Sequence, residues 1–403
     1  MKNIKNTRKG DLILKKSKFN YYQPTDIRFG KGRVDEIGQV ISPWGKRCLL
    51  VTVPVFPEFE PLFAKVKAAL KDSDVDAAHF DGVIPNPTTA VVSAGARMAQ
   101  EHRADVVLGL GGGSSMDTAK AIAVEATHDG TSWDYLFYRD KQPTEKTLPV
   151  IAVSTTSGTG SQVTQVAVVT NPEDKDKSAL YHPALYPKAS IVDPELMLTV
   201  PEHITASTGF DVFAHAFESY INPNGSPYTD MTALEAIRLA AAHLPTAVKN
   251  GSDLEARSFM AWADTLAGLS IANAGVTLPH GIGMAVSGIY PHVMHGEALA
   301  VVYPAILRYS HRHASAKFAA VGRIFEPALA EVPDEEAAEM ACGVLEGFIR
   351  TIGMDTCFED LDVPKEELAD LARASMVLPD YKNHPRVADR DEILAILTRS
   401  CRT

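Results

Sequence analysis

The sequence predicts two domains of different class: an α/β domain with a mainly parallel sheet at 1–197 and an all-helical domain at 198–403. In the first part, short apolar runs alternate with stretches of helical spacing, which is typical of strand–helix–strand units with helices on both faces of a sheet. After about Pro201 the strand-like runs stop, and long segments rich in Ala and Leu follow. These two observations place the domain boundary near residue 197.

Each predicted strand is a short aliphatic run bounded by turn residues, and each predicted helix repeats its apolar residues with a period of about 3.6. The predicted strands lie at 47–53, 105–110, 149–154 and 189–193, with a further edge strand near 20–29. The predicted helices lie at 60–71, 115–126, 209–220, 230–249 and 254–274. Strands and helices therefore alternate before the boundary, and helices alone follow it.

Composition and charge exclude several classes of protein. The chain has 403 residues, of which 45% are hydrophobic and 22% charged, which is typical of a globular protein and not of a disordered one. The net charge of −11 argues against a nucleic acid or an anionic membrane surface as partner, because proteins that bind them carry basic surfaces. No apolar run reaches the roughly 18 residues that a membrane-spanning helix needs.

The cysteines and the N-terminal segment predict the cellular compartment. Cys48, Cys342, Cys357 and Cys401 are far apart and form no CxxC pair, which favours free thiols in a reducing compartment. The basic segment at 1–19 has no apolar core, so we interpret it as a solvated arm and not as a secretory signal. We therefore expect a cytoplasmic protein.

Three consecutive glycines follow the strand at 105–110, and a helix is predicted to begin just after them. Gly111, Gly112 and Gly113 allow positive φ and a close approach of the backbone to a ligand. The start of the helix offers unpaired N–H groups and a positive dipole end, which suit a phosphate. Ser114 can cap this helix and donate to a phosphate oxygen. The pattern indicates a phosphate-binding turn, with a tight turn that binds no ligand as the alternative.

A second loop of small residues, TTSGTGS at 155–161, follows the strand at 149–154. Ordering such a segment is costly in conformational entropy unless the segment binds something. Ligands of open α/β sheets bind beyond the carboxyl ends of the strands, so the two loops are predicted to share one cleft. The candidate binding residues of this loop are Thr155, Thr156, Thr159 and Ser161. A flexible surface loop is the alternative.

A carboxylate and several imidazoles form a candidate metal site. Asp211 and His215 are four residues apart in a predicted helix, so they lie on one face about one turn apart. His280, His292 and His295 occur in one apolar segment, where buried imidazoles are costly unless they are paired or ligated. This donor set suits Fe²⁺ or Zn²⁺ better than Mg²⁺ or Ca²⁺. The alternatives are an Asp–His hydrogen bond within one helix and core histidines without a metal.

Two further positions leave alternatives open. Glu218 lies on the same helix face as His215, either as an orienting partner of a metal ligand or as an ordinary exposed residue. Val53 ends the strand at 47–53, where many NAD-selective proteins have an acidic residue that binds the ribose. A neutral side chain neither repels nor attracts a 2′-phosphate, so both NAD and NADP stay open.

These segments together resemble those of the iron-containing (group III) alcohol dehydrogenases, nearly from end to end. The segments PNPTTAVVSAGARMAQEHRADVVLGLGGGSSMDTAKAIA and PVIAVSTTSGTGSQVTQVAVVT are similar to that family's two cofactor-binding segments. The segments IVDPELMLTVPEHITASTGFDVFAHAFESYI and LPHGIGMAVSGIYPHVMHGEALAVVYP are similar to its two metal-binding segments. YYQPTDIRFGKGRVDEIG near the start and NHPRV near the end are similar as well.

The resemblance implies a Rossmann-like dinucleotide-binding domain and a helical metal-binding domain, an architecture shared with dehydroquinate synthase. By resemblance, the family's metal ligands fall on Asp211, His215, His280 and His295. His295 is preferred to His292 because the family's last ligand precedes a glycine, which here is Gly296. NAD or NADP is implied over 111–114 and 155–161, with Asp117 and Lys177 as polar residues on the cofactor side.

The chain departs from the family pattern near both sites. Met284 stands where many members carry a further histidine beside the substrate, and Gln162 stands where they carry a glutamate after the hydroxyl-rich loop. The stretch that precedes His295 is one residue longer than in the commonest version of the pattern. These differences suggest a distinct subgroup with a non-standard substrate.

The sequence thus predicts a metal-dependent, NAD(P)-linked alcohol dehydrogenase or aldehyde reductase. Fe²⁺, or Zn²⁺ as the alternative, would activate a small alcohol or aldehyde for hydride exchange with nicotinamide. The proton would leave by water, by the ribose hydroxyl or by His292. A lyase of the dehydroquinate-synthase type, which uses NAD internally, and a nucleotide-binding scaffold without turnover are the rival interpretations. A homodimer or higher homo-oligomer is expected, with no nucleic-acid partner and no membrane.

Overall fold

A computed structural model describes residues 18–402 of the chain. The first half contains a six-stranded sheet, and the second half is made of helices. The basic segment that we interpret as a solvated arm lies almost wholly outside the described residues, so that prediction is not addressed by the structure.

Eight strands occur within residues 18–402. They are β1 (Asp26–Phe29), β2 (Arg47–Val51), β3 (Asp76–Phe80), β4 (Val106–Gly111), β5 (Val150–Ser154), β6 (Val166–Asn171), β7 (Asp176–Tyr181) and β8 (Ala189–Val192). Six of them form one parallel sheet in the order β1-β8-β5-β4-β2-β3. The central strands β4, β5 and β8 are buried along their whole length, as is usual in parallel sheets covered on both faces.

The four strands predicted from aliphatic runs are confirmed to within two residues at each end. The edge strand is also confirmed, but it is shorter than predicted and pairs with β8. β3 was missed because its sequence DAAHF contains a single large aliphatic or aromatic core residue and only its last position is fully buried. β6 and β7 were missed as well, and they pair with each other as an antiparallel hairpin outside the main sheet.

The α-helices of the described residues are α1 (Ile37–Ile41), α2 (Glu60–Asp72), α3 (Thr89–His102), α4 (Gly113–Glu125), α5 (Glu202–Ile221), α6 (Pro227–Lys249), α7 (Leu254–Ala274), α8 (Leu278–Ile289), α9 (His295–Ser310), α10 (Ser315–Phe325), α11 (Asp334–Thr351), α12 (Leu368–Ala374) and α13 (Arg390–Arg399). The helices predicted in both halves are confirmed, although α5 begins seven residues earlier than predicted (202 against 209). Within residues 18–402, none of these helices combines the length and the apolar character that crossing a membrane requires. The division into two domains at residue 197 stays a prediction.

Helix α5 lies at the centre of the helical half, where it packs against α6, α7 and α9. Its rings Phe210, Phe213 and Phe217 surround Tyr303 of α9, with ring centroids 5.1 to 6.1 Å apart. Helices that are apolar on all sides are buried in the protein core. A charged residue on such a helix is costly to bury unless it forms a hydrogen bond or an ion pair. The charged residues of α5 therefore mark the site described next.

Candidate metal centre and nucleotide cleft

Three side chains converge between helices α5, α8 and α9. Asp211 lies in α5, His280 in the first turn of α8 and His295 at the first residue of α9. One potential ligand atom of each lies within 4.8 Å of the others. Oδ1 of Asp211 and Nε2 of His280 are 3.4 Å apart, and neither these atoms nor Nδ1 of His295 has a hydrogen-bond partner among residues 18–402. Buried polar atoms without partners are rare in proteins, so the cluster fits a metal ion.

His215 faces the same cluster from one turn further along α5. Its Nδ1 lies 3.5 Å from Oδ1 of Asp211, and its ring stacks on that of His280 with centroids 4.4 Å apart. The same Nδ1 lies 3.1 Å from the carbonyl oxygen of Gly158, in the loop at 155–161. Because a carbonyl only accepts, this contact places the proton on Nδ1 and leaves the lone pair on Nε2. The loop at 155–161 thus orients one of the predicted metal ligands.

Glu218 orients a second predicted ligand. Its side chain is fully buried in α5, and its Oε1 lies 2.7 Å from Nδ1 of His280. Oε2 accepts from the backbone N–H of Thr277 at 2.8 Å and from its hydroxyl at 3.2 Å, and the hydroxyl of Tyr303 donates to Oε1 at 3.3 Å. Since the carboxylate holds the Nδ1 proton, Nε2 of His280 presents its lone pair to the cluster. The interpretation of Glu218 as an exposed residue is wrong.

The electrostatics of the cluster favour a cation. Burial raises the pKa of Asp211, but the neighbouring imidazoles outweigh burial and hold this pKa at about 2. Burial lowers the pKa of His280, yet Glu218 and Asp211 raise it to about 10. Burial and the ammonium group of Lys177 hold the pKa of His295 well below its usual value. The two carboxylates therefore stabilise positive charge at His280, which a metal ion would supply in place of a proton.

The glycine turn joins β4 to α4 at the carboxyl edge of the sheet. Gly111 has a φ of +150°, which favours glycine, and its carbonyl accepts the N–H of Thr155 at 3.0 Å. A Cβ atom on Gly113 would lie 2.4 Å from Cγ2 of Thr159, so only glycine allows this contact. The two loops lie against each other at the ends of neighbouring strands, as predicted from the sequence.

Helix α4 begins at Gly113, with Gly112 as its N-cap residue and no side chain capping this end. The prediction that Ser114 caps the helix is therefore wrong, because Ser114 already lies inside the first turn. A Cβ on Gly112 would lie 3.0 Å from Oγ1 of Thr156, which shows how closely the second loop approaches the turn. The first N–H groups of a helix have no partner within the helix, so they are available to a phosphate.

Two predicted cofactor residues belong to a buried network beneath the second loop. Oδ1 of Asp117 accepts from the hydroxyl of Ser161 at 2.6 Å, and Oδ2 accepts from the N–H of Val168 at 3.1 Å. Nζ of Lys120 donates to the carbonyl and the hydroxyl oxygen of Ser161 at 2.7 and 2.8 Å and to the carbonyl of Thr164 at 2.9 Å. Burial raises the pKa of Asp117 and lowers that of Lys120 to about 8. The polar atoms of Asp117 and Ser161 are thus engaged inside the protein.

A carboxylate from the helical half holds the same loop. Asp264 of α7 is buried, and its Oδ1 accepts from the N–H groups of Gly158 and Gly160, both at 2.9 Å. Its Oδ2 accepts from Nε2 of Gln162 at 2.8 Å. Burial raises the pKa of Asp264 to about 7, although these hydrogen bonds oppose the shift. Sequence reasoning missed Asp264, whose only signal is a lone carboxylate in an Ala-rich helix more than 100 residues from the loop.

The remaining predicted residues lie around these two features. Lys177 of β7 is buried and donates to Oδ1 of Asn86 at 2.8 Å, and burial lowers its pKa to about 8, so it is not an ordinary solvated lysine. Val53 is half-buried just after β2, at the carboxyl edge of the sheet. His292 is exposed, with Nε2 3.0 Å from the carbonyl oxygen of Leu361. The structure does not bring His292 into the metal-binding cluster.

A parallel sheet with two small-residue loops at its carboxyl edge, next to a cluster of carboxylate and imidazole donors, is the arrangement expected of a metal-dependent nicotinamide oxidoreductase. The sequence pattern of iron-containing alcohol dehydrogenases matches residues 24–194, and that of the C-terminal part of the Fe-containing alcohol dehydrogenase family matches residues 205–401. The chain therefore belongs to the iron-containing alcohol dehydrogenase family. This family match confirms the resemblance seen in the sequence. The chain is an oxidoreductase of the alcohol dehydrogenase type.

Individual relatives align with this chain over nearly their whole length. The chain is 32% identical to an NAD-dependent methanol dehydrogenase of Bacillus methanolicus, over 94% of this chain and 98% of that protein. It is 35% identical to a choline dehydrogenase of Bacillus subtilis, over 92% of each chain. The crystal structure of an archaeal alcohol dehydrogenase from a Red Sea brine pool superposes with a TM-score of 0.90 at 35% identity, over 95% of this chain and 99% of that one. These similarities do not favour the lyase alternative.

Proposed function

We propose that the chain oxidises a small alcohol, or reduces the corresponding aldehyde, with a nicotinamide dinucleotide and with Fe²⁺ held by one carboxylate and three imidazoles. The proposed ligands are Asp211, His215, His280 and His295. The observation that carries the proposal is the convergence of buried atoms without hydrogen-bond partners, above all Oδ1 of Asp211 and Nε2 of His280. Zn²⁺ suits the same donor set, and Fe²⁺ is preferred because of the family to which the chain belongs.

When bound, the metal supplies Lewis-acid polarisation of the substrate oxygen, and the nicotinamide supplies or accepts the hydride. The protein holds the imidazole of His215 in α5 and that of His280 in α8 each in a single tautomer. Glu218 accepts the Nδ1 proton of His280, and the carbonyl of Gly158 accepts that of His215. Because both rings are held by buried partners, their Nε2 atoms are oriented before any ligand arrives.

The dinucleotide would lie over the two loops at the carboxyl edge of the sheet. Its pyrophosphate would be bound by the N–H groups of the glycine turn and the start of α4, at 111–114, since the chain is acidic overall and offers few cationic side chains here. The hydroxyl groups proposed to contact it are those of Thr155, Thr156 and Thr159. NAD(H) is the first candidate because one relative is named as NAD-dependent, and NADP(H) is the second because Val53 does not repel a 2′-phosphate.

The substrate would meet an apolar wall at Met284. This residue is buried and lies one turn after His280 on α8, so both residues are on the same helix face. An apolar side chain at this position favours an alkyl group of the substrate over a polar one. We assign the proton of the reaction to water or to the ribose hydroxyl, because His292 is exposed and engaged with Leu361.

We further propose that the chain forms a cytoplasmic homodimer along the edge strand β1. Among residues 18–402 this strand pairs with β8 on one side only, so backbone groups on its other side could pair with a second copy. All four cysteines are free, in agreement with a reducing compartment. Light scattering after size-exclusion chromatography tests the dimer, and a monomeric mass would contradict it.

The proposed reaction is tested with a panel of alcohols and aldehydes, using NADH and NADPH, on protein loaded anaerobically with Fe²⁺ or with Zn²⁺. We expect net nicotinamide turnover, followed at 340 nm, with short-chain alkyl aldehydes and a higher rate in the Fe²⁺ protein. Product formation without a net change at 340 nm would contradict the dehydrogenase and support internal use of the dinucleotide.

A further inference from the structure

A cavity of about 410 Å³ lies in the helical half, and none of its lining residues belongs to the metal centre or the nucleotide cleft. Its walls come from the end of α9 and the turn that follows it, from the segment just before α13, and from one face of α13. The basic side chains that line it are four arginines and two histidines: Arg308, Arg312, Arg386, Arg399, His311 and His313. We call it the basic cavity. In a chain with a net charge of −11, such a concentration of cationic side chains requires an explanation.

Only part of this positive charge is neutralised by the protein. Arg308 forms an ion pair with Glu346 through two contacts of 3.0 and 3.1 Å. Arg386 pairs with Glu392, the only acidic residue that lines the basic cavity. Arg312 and Arg399, in contrast, have no carboxylate partner among residues 18–402. Two guanidinium groups therefore face the cavity without a counter-charge.

A buried imidazole atom in the wall of the basic cavity is unpaired as well. His311 is only 8% exposed, and its Nδ1 lies 3.1 Å from the carbonyl oxygen of Arg308. Its Nε2 is buried and has no hydrogen-bond partner among residues 18–402. A buried polar atom without a partner destabilises the folded state, so this atom calls for a partner that the described residues do not provide.

We propose that the basic cavity binds a small phosphorylated metabolite through its phosphate group, outside the active site. Arg312 and Arg399 would supply the charge. Nε2 of His311 carries a lone pair, since Nδ1 donates to the carbonyl of Arg308, and it would accept a hydrogen bond from a hydroxyl group of the ligand. Guanidinium groups are the preferred partners of phosphate, because their planar N–H pairs match two phosphate oxygens at once. Arg386, which stacks over the ring of Tyr309 at 4.3 Å and is paired with Glu392, is fixed in place and shapes the wall.

The proposal is tested by isothermal titration calorimetry on the metal-loaded, full-length protein at constant ionic strength. Saturating NADH is present, so that the pyrophosphate-binding turn of the cleft is not available to the probes. The probes are inorganic phosphate and glycerol 3-phosphate, with succinate as a carboxylate of similar size and sodium chloride as the control for screening. We expect saturable binding of the phosphates with one site per chain, and weaker binding of succinate.

Charge-removing variants locate the binding. The double variant R312Q/R399Q is expected to bind the phosphates at least about tenfold more weakly, because it removes both guanidinium groups that would form charge-assisted hydrogen bonds to the phosphate oxygens. Arg350→Gln is the matched control, since Arg350 is exposed on α11 and lies outside the basic cavity. A single Arg399→Gln variant serves if the double variant has a lower melting temperature. Unchanged binding in these variants, binding no stronger than that of chloride, or tighter binding of succinate would each overturn the proposal.

Discussion

Replacing Glu218 by glutamine tests how far the metal centre depends on its buried neighbour. In Glu218→Gln, the amide oxygen still accepts the Nδ1 proton of His280, but the NH₂ group then faces the N–H of Thr277, which donates to the wild-type carboxylate at 2.8 Å. The backbone N–H groups of Thr277 and His280 lose their acceptor, the hydroxyl of Thr277 must turn to accept instead of donate, and the negative charge behind His280 disappears. Loss of such an orienting partner typically weakens metal binding by about 10- to 100-fold. That change corresponds to about 1.4–2.8 kcal/mol in the free energy of metal binding.

The metal affinity of this variant is measured by competition with a chromophoric chelator, anaerobically for Fe²⁺ and in air for Zn²⁺. Glu202→Gln is the matched control, because Glu202 is an exposed residue in the first turn of the same helix. We expect weaker binding in the Glu218 variant alone, with the same helix content by circular dichroism in both. Wild-type affinity in Glu218→Gln would refute the argument that this carboxylate orients His280.

Four further predictions concern the cleft and its supports. Gly113→Ala should weaken dinucleotide binding by about 1–3 kcal/mol, because the new Cβ overlaps the second loop. Fluorescence titration measures this binding. Gly343→Ala is the neutral control, because its Cβ would meet nothing closer than 3.9 Å. Lys120→Met should lower the free energy of unfolding in urea by about 3–5 kcal/mol. The buried carbonyl groups of Ser161, Thr164 and Val166 lose their donor, and Asp117 loses one of its two neighbouring cations. Folding holds the pKa of Asp264 at about 7, above the usual value of about 3.9. The folded chain therefore keeps a proton there that the unfolded chain loses. The resulting stabilisation is complete below about pH 4 and is lost as the pH rises through about 7. The stability of the wild type should therefore fall relative to that of Asp264→Asn as the pH rises from about 4 to above 7. A difference in melting temperature that stays constant over this pH range would contradict the raised pKa of Asp264. His292→Ala should leave kcat within about twofold of wild type, as expected of an exposed residue away from the reaction, and a loss of activity would restore His292 to the proton route.

Most of the architecture could be predicted from the sequence, because the buried parallel strands are continuous aliphatic runs. β4, the glycine turn and the start of α4 follow one another within a few residues, so local patterns were sufficient there. β3 escaped prediction because it lies at the edge of the sheet and needs fewer apolar side chains. The error at Ser114 has a local cause: the helix begins two residues earlier than predicted, since glycine N-caps it in place of a hydroxyl residue.

The contacts that support the site could be predicted only in part, because they join distant parts of the chain. The sequence indicated Glu218 as a possible orienting partner but not which groups it contacts, and it did not indicate Asp264. Asp264 reaches the loop at 155–161 from α7, and Glu218 meets Thr277 and His280 across two helices. In the sequence each of these carboxylates lies in a mainly apolar stretch of its helix. A lone buried charge of this kind must have a partner, but which partner it has depends on the packing of the helices.

The central claim is that Asp211, His215, His280 and His295 hold one metal ion that the nicotinamide-linked reaction requires. The most direct test measures iron per chain, turnover at 340 nm and dinucleotide binding on the same anaerobic preparations of wild type and His280→Ala. The proposed site predicts one Fe²⁺ per chain and turnover in wild type, and the loss of both in the variant with dinucleotide binding retained. Turnover by the variant in the absence of bound metal would contradict it.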